Sequence, residues 1–188
     1  DLHSFPTRRS SDLELENDLV SLKNKYNLNY LCHNYFPPPN NPFVLNLASH
    51  DDAVYKATIN NIEKALDISK KIGAAKFGFH AGYLFDIPIK QIGISIDKQK
   101  LFNRNDAKLR FTESFINLQL KHPDIQLYIE NNVLSNLNYR NFNEINPFFI
   151  CDSTGYLEFK ELIDFTLLLD IAHLKVSCQT LGLSFKDQ

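Results

Sequence analysis

The sequence has little of what would announce a cofactor, a disulfide framework or a membrane. Its glycines number only six in 188 residues, none falls in a G-x-G-x-x-G or P-loop spacing, and Gly93 and Gly182 stand alone. Without a run of backbone amides to cradle phosphates, a nucleotide cofactor finds no support. Cysteine is equally sparse: Cys32, Cys151 and Cys178 form no CxxC pair and no regular spacing. An odd, low count argues against a disulfide framework and for a reducing compartment, so Cys32 and Cys178 read as packing residues. No apolar run approaches the length of a bilayer span, and no charged-then-apolar leader is visible, which makes the cytoplasm the expected location. Positive charge is not in excess either. The formal net charge of −2 gives no global field to draw in nucleic acid or an anionic membrane. The remainder is 44% hydrophobic and 22% charged, an ordinary balance for one domain with a core of its own.

Residues 3–13, His-Ser-Phe-Pro-Thr-Arg-Arg-Ser-Ser-Asp-Leu, stand apart. They carry no apolar periodicity and match one translated frame of a common sequencing adapter. They read as a non-native scar, the alternative being a genuine disordered tail, and are set aside from fold reasoning. The domain is then 14–188.

Four short apolar runs each finish in a polar, metal-ligand type of side chain. Residues 28–33 end in His33, 75–80 in His80 and 125–130 in Glu130, while 166–170 end in Asp170 with His173 three residues on. They recur at intervals of roughly 40–50 residues, room for a strand, a loop and a helix each. Between them lie helical patterns. In 14–26, Leu15, Leu19, Leu22 and Tyr26 mark one face, with Asp12 as the expected cap. Ser49-His50-Asp51-Asp52 is a capping signal for a helix whose inward face is Val54, Thr58, Ile62, Ala65, Ile68 and Ile72, stopped by Gly73. Residues 104–121 form another, with Leu109, Phe111, Phe115 and Leu118 inward. Shorter helices are expected at 156–165 and from 174 to 181. The proline-rich loop after His33 reads either as a rigid connector or as a wall for a substrate. Ala81-Gly82 turns the chain sharply where backbone can approach a ligand. Residues 131–146 are expected to be a long Asn-rich loop, and the type of the apolar piece 147–151 is left open. The fold expected is α/β, with parallel strands alternating with helices. Residues 14–188 fall short of the about 250 usual for an eight-stranded barrel. Either a small open sheet or part of a barrel answers to this pattern, and a fragment is the expectation.

The strand-end residues carry the chemistry. Glu130 leaves an apolar run at its carboxyl end, where a carboxylate is costly without a cation or donor beside it. It reads as a metal ligand, a base or both, against the plainer reading of a carboxylate satisfied by a nearby Lys or Arg. Asp170 and His173 form a D-x-x-H unit whose oxygen and nitrogen donors suit Zn²⁺, Mn²⁺ or similar ions, against a helix-capping aspartate with a stray histidine. His33 and His80 read as pocket or ligand residues, or as hydrogen-bonded packing residues. His3, His50 and His122 have no such setting.

The motifs Cys32-His33-Asn34-Tyr35, Asn46-Leu47-Ala48-Ser49, Phe79-His80-Ala81-Gly82, Ile129-Glu130-Asn131 and Leu169-Asp170-Ile171-Ala172-His173, in this order, resemble the xylose isomerase-like TIM-barrel superfamily. That group includes sugar phosphate isomerases and epimerases and the endonuclease IV branch of DNA repair enzymes. The resemblance runs from about residue 28 to 185. It implies a partial (β/α)8 barrel lacking the first strand and the last three. It also implies a divalent metal ion (Mn, Mg, Co or Zn) held by Glu130 and Asp170, with Glu130 and His173 catalytic and His33, His80 and Asn131 lining the substrate pocket. In the endonuclease branch, His33, His80 and His173 would match zinc ligands. The activity implied is isomerisation or epimerisation of a sugar or sugar phosphate, with zinc-dependent cleavage at abasic DNA as the alternative and a non-catalytic binding protein as a third. The charge balance favours the sugar over nucleic acid. A homo-oligomer is compatible with the resemblance. The later strands' ligands have no counterpart here, so the fragment alone is expected to lack half of its site.

Overall fold

A computed structural model of the protein describes residues 12–39 and 41–188. The reading of 3–13 as foreign therefore lies almost wholly outside the described residues, as does His3. Among them, four parallel strands stand in chain order: β1 (Cys32–His33), β2 (Lys76–His80), β3 (Gln126–Glu130) and β4 (Thr166–Leu168). The connections carry α2 (Asp52–Lys71), α3 (Arg104–Lys121), α4 (Asn136–Asn141) and α5 (Ser153–Lys160), with α1 (Asp12–Tyr26) before the sheet and α6 (Ile171–Leu181) after it. This is the alternating β-α pattern expected of a partial barrel.

The inner pair of strands is long because it is bonded on both sides. Phe77 stands opposite Leu127 and Phe79 opposite Ile129, all four buried on the face that α2 and α3 cover. Strand alternation then puts Lys76, Gly78 and His80, with Gln126, Tyr128 and Glu130, on the other face. The outer strands are shorter than expected. Residues 28–31 and 169–170 lie outside β1 and β4, since each outer strand has a neighbour on one side only and Leu28, Leu31 and Leu169 are exposed.

Helix α2 buries Thr58, Ile62, Ala65 and Ile68 as the periodicity predicts, and Gly73 ends it at φ +67°. Its cap is Asp51, which accepts from the Ala53 and Val54 amides, rather than Ser49. Asp51 reaches the first-turn amides directly, and Ser49 is diverted to the Asp51 amide at 3.1 Å and the Asp86 carboxylate at 2.8 Å. Helix α3 has the expected bounds and buries Phe111, Phe115 and Leu118, but Leu109 is 56% exposed. Two residues on a helix turn through about 200°, so Leu109 and Phe111 cannot share a face. Asp12 is the first residue of α1 rather than a residue before it. Leu22 and Tyr26 are exposed, because α1 is tied down mainly by polar contacts: Lys23 Nζ caps the Ile72 carbonyl of α2 at 2.9 Å, and Lys71 meets Glu16 at 2.9 Å.

The strand-end face is closed by loops with a cluster of their own, Phe85, Ile96, Leu134, Phe142, Phe148 and Cys151. The apolar piece 147–151 pairs with Tyr83 through an antiparallel bridge at Phe148. The expected loop 131–146 contains α4, capped by Ser135. Helix α5 starts and ends earlier than expected because Asp152 caps it through the Gly155 amide. Helix α6 likewise begins at Ile171 because Asp170 caps it. All three cysteines are free and buried, as packing residues should be.

Two residues fix the ends of the inner strands. Asn132 is buried, and its Nδ2 donates to the carbonyls of Ala81 (2.7 Å), Gly82 (3.2 Å) and Phe149 (2.9 Å). The close approach at Gly82 is to the protein's own core: a Cβ there would stand 2.9 Å from Ala48 Cβ and 3.0 Å from Phe111 Cδ2. Gly82→Ala should therefore lower stability by about 1–3 kcal/mol through overpacking. In urea unfolding the midpoint should fall with the slope unchanged; an unmoved midpoint would show that the loop yields freely. Asn132→Ala should cost a similar about 1–3 kcal/mol by stranding buried carbonyls, and Asn132→Asp more, because a carboxylate would face those carbonyl oxygens.

Candidate functional site

The register brings the strand ends into one row. His80 closes β2 directly opposite Glu130, which closes β3, and His33 closes β1 opposite Gly78. Gly78 leaves space for the His33 ring, since a Cβ there would lie 3.1 Å from His33 Cδ2. His173 enters from the first turn of α6, just after the Asp170 cap. The carboxylate of Glu130 is the shared partner. Its Oε2 lies 2.5 Å from His33 Nε2 and 3.4 Å from His80 Nδ1, and its Oε1 lies 3.6 Å from His173 Nδ1. Among the described residues no Lys or Arg pairs with it, so the plainer reading of a lysine- or arginine-satisfied carboxylate is replaced by one of histidine partners.

Electrostatics make the set ligand-ready. Burial is the largest influence on Glu130 and pushes its pKa up. The His33 hydrogen bond, with the electrostatic influence of the His80, His33 and His173 rings, more than offsets this and holds the carboxyl below its ordinary range. Burial lowers His80 to about 4, leaving its ring neutral at neutral pH. His80 Nδ1 is buried and has no hydrogen-bond partner among the described residues. His173 Nδ1 donates to the Asn131 carbonyl at 2.9 Å, which leaves the Nε2 lone pair available.

Asp170 performs the capping role weighed for it. Its Oδ1 accepts from the His173 amide at 2.9 Å, which is also the first cause of its lowered pKa. Its Oδ2 lies 3.6 Å from His173 Nε2, so capping leaves it beside the cluster. Asn131 clasps the Asp170 backbone from both sides, accepting its amide at 2.6 Å and donating to its carbonyl at 3.0 Å. This clasp joins the ends of β3 and β4, and only the doubled asparagine after Glu130 hints at it in the sequence.

Among the described residues, one set of His, Asp, Glu or Cys side chains could hold a metal ion: His80, Glu130 and His173, whose ligand atoms all lie within 4.8 Å of one another. The orphaned His80 Nδ1 is the observation that fits a cation there, since a buried imidazole nitrogen without a partner is otherwise an uncompensated cost. A cavity of about 520 Å³ opens beside His80 and His173, with Asn34 and Tyr35 of the proline-rich loop in its wall. A second, of about 480 Å³, adjoins His33 and Glu130 on the uncovered sheet face. The wall residues contributed by 87–96 and 133–138 carry no motif and are not legible as site residues in the sequence. No helix among the described residues is long and apolar enough to cross a membrane.

No family model and no curated relative matches the sequence. Solved structures do. A D-tagatose 3-epimerase-like protein is similar over 85% of this chain and 51% of its own, at 18% identity and a TM-score of 0.58. D-Psicose 3-epimerase from Clostridium cellulolyticum is similar over 89% and 51%, at 15% and 0.59. Endonuclease IV from Thermus thermophilus is similar over 93% and 57%, at 11% and 0.55. The chain thus spans about half the length of the solved structures it matches. At these identities the likeness is one of fold alone, a partial barrel of four parallel strands alternating with helices.

Proposed function

We propose that the protein is a metal-dependent isomerase or epimerase of a sugar-like hydroxycarbonyl compound. The observation that carries this is Glu130, a buried strand-end carboxylate surrounded by three histidines on the wall of a cavity of small-molecule size. His80, Glu130 and His173 would hold a divalent ion, with Asp170 at its edge. The two imidazoles favour Zn, Mn or Co over Mg. When bound, the ion supplies positive charge to the two neighbouring oxygens of an open-chain substrate.

The chain's own residues do the rest. Glu130 is held ionised and takes a proton from the carbon beside the carbonyl, giving an enediolate. His33, donating to Oε2, orients the carboxylate and steadies its charge. Return of that proton to the adjacent carbon, with the hydroxyl proton passing to the former carbonyl oxygen, gives isomerisation. Return by a second acid to the opposite face of the same carbon gives epimerisation. Either way the substrate's formula is unchanged. Asn131 keeps Asp170 and His173 in place through its two bonds to the Asp170 backbone. The sugar-epimerase neighbours support this reading at the level of the fold they share with the chain.

A second reading, zinc-dependent cleavage of abasic DNA, draws support from the histidine-rich set, because His33 and His80 both reach Glu130. Phosphate recognition calls for cations. Among the described residues, neither Lys nor Arg lines the cavity beside His80 and His173, Lys76 alone of these lines the one at His33 and Glu130, and the formal net charge is −2. These weigh against it.

The deciding experiment incubates the purified full-length protein with Mn, Co, Mg or Zn and a ketose panel in D₂O, and in parallel with abasic duplex. Roughly one bound ion per chain, epimer or aldose formation, and deuterium at the carbon beside the carbonyl are expected. Nicking of the duplex with several zincs bound and no exchange into any ketose would replace this reading by the second. Glu130→Gln should lower turnover by about 10²–10⁴-fold, the usual worth of a positioned base. Asn131→Ala should weaken metal binding about 10–100-fold while the fold stays intact by circular dichroism, because it frees the elements that aim Asp170 and His173.

A further inference from the structure

We infer that Asn34 and Tyr83 determine specificity at this site, their side chains taking the hydroxyl that a ketose carries on the carbon next to the metal-bound pair of oxygens. The substrate class is a ketose that keeps this hydroxyl, in preference to its deoxy analogue. The inference rests on the isomerase reading and deepens it.

Both residues line the cavity of about 520 Å³ that has His80 and His173 in its wall. The other polar side chains of that lining, the histidines apart, are bonded to the protein. Asn132 holds three carbonyls, Gln91 is engaged by Asp97, and Ser135 Oγ accepts from the Asn138 amide. Tyr35 Oη accepts from the Leu45 amide, Asn138 Oδ1 from the Ile96 amide, and Ser95 Oγ from Asn141 Nδ2. The carboxamide of Asn34 and the phenol of Tyr83 have no hydrogen-bond partner among the described residues, and Asn34 is only 9% exposed. A polar side chain buried to that degree and left unpaired is a cost, which a ligand that pairs with it removes.

The backbone delivers the two groups from neighbouring strand ends. Asn34 directly follows His33, and its amide donates to the Gly78 carbonyl at 2.7 Å, one step past the end of β1. The chain turns there at φ +47°, a conformation that asparagine tolerates better than most residues with a side chain. Tyr83 stands three residues after His80. Asn46 Oδ1 accepts its amide at 3.1 Å and Asn46 Nδ2 donates to its carbonyl at 3.2 Å. Its ring stands edge-on to Phe148 with centroids 5.7 Å apart. Burial, then Tyr35 and Glu130, push the phenol above its ordinary range, so the hydroxyl keeps its proton and is a donor. A substrate hydroxyl removed from water needs both an acceptor and a donor. The carboxamide oxygen of Asn34 supplies the first and the phenol of Tyr83 the second.

The test measures kcat/KM of the metal-loaded full-length protein on a ketose and on the analogue lacking that hydroxyl. The analogue is 4-deoxy where C3 is epimerised and 3-deoxy where an aldose is formed. Tyr83→Phe keeps the ring against Phe148, and Asn34→Gly removes the carboxamide at a φ that glycine adopts freely. Circular dichroism and the bound-metal ratio check both variants. The parent ketose should be preferred by about 100-fold or more, since a site built to pair a hydroxyl rejects a substrate without it. Each substitution should shrink that preference by about 10-fold, with kcat/KM on the deoxy analogue held within about 3-fold. Equal losses on the two substrates would mark Asn34 and Tyr83 as structural supports and overturn this inference while leaving the isomerase reading standing. Equal turnover of both substrates by the unsubstituted protein would do the same. Turnover of no ketose at all would sink both.

Discussion

A carboxylate enclosed among three imidazoles sets the terms for this fold. Glu130 has 9% of its side chain exposed, where an anion without compensation is expensive. His33 supplies one short hydrogen bond at 2.5 Å, but His80 and His173 stand at 3.4 and 3.6 Å with their nearest nitrogens. Hydrogen bonding alone therefore leaves the group half-satisfied, and among the described residues it leaves the buried Nδ1 of His80 with no partner. A cation among Glu130, His80 and His173 would resolve both deficits at once, which is why a metal centre explains the burial better than a structural ion pair does. The requirement reaches back into the sheet: His80 and Glu130 must end their strands in the same row, and the Phe77–Leu127 and Phe79–Ile129 pairs hold that register from the core side.

Asparagine keeps the row in place. A carboxamide both donates and accepts, so one side chain can close onto a backbone unit from two sides, as Asn131 does on Asp170. Asn132 collects three carbonyls at the ends of the neighbouring loops, and Asn46 does similar work beneath Tyr83, accepting its amide at 3.1 Å and donating to its carbonyl at 3.2 Å. Aspartate would offer only acceptors and leucine neither. The loops above the sheet are thereby fixed by side-chain amides instead of by further strands, and a fixed surround is what a metal or catalytic cluster needs to keep its geometry.

How much of this is legible in the sequence follows from which signals act locally. The inner strands announce themselves by apolar runs, since burial on the core face and pairing on both sides demand them. The outer strands blur, because Leu28, Leu31 and Leu169 are apolar yet lie outside the ladder. Glu130, His33, His80 and His173 stand out because a polar residue ending an apolar run is locally anomalous, and the structure draws all four together. Asp170 reads as ligand or as cap, and it caps α6 while standing beside the cluster. Leu109 is misplaced by pattern reading because it is grouped with Phe111, two residues and about 200° away. The asparagine clasps are hinted at only by the doubled asparagine after Glu130, since nothing else local distinguishes an asparagine that faces three carbonyls from one in a solvated loop. The cavity wall escapes for the same reason: Ile92 and Ile94 are isolated isoleucines in a weakly periodic segment, and only the fold places them near His80 and His173.

That last placement separates two tasks. The strand ends hold the groups able to move a proton or bind an ion, and they are fixed by the register of a buried sheet. The loop from Gln91 to Asp97 and the residues around Val133 hold the wall of the cavity beside His80 and His173, the first closed by the Gln91–Asp97 surface contacts and the second anchored by the buried Leu134 amide on Ser177 Oγ. A change in the wall leaves the sheet's hydrophobic ladder untouched, whereas a change in the row disturbs Glu130 and every histidine that depends on it. Barrels of this kind can therefore share a strand-end cluster and differ in substrate through their loops.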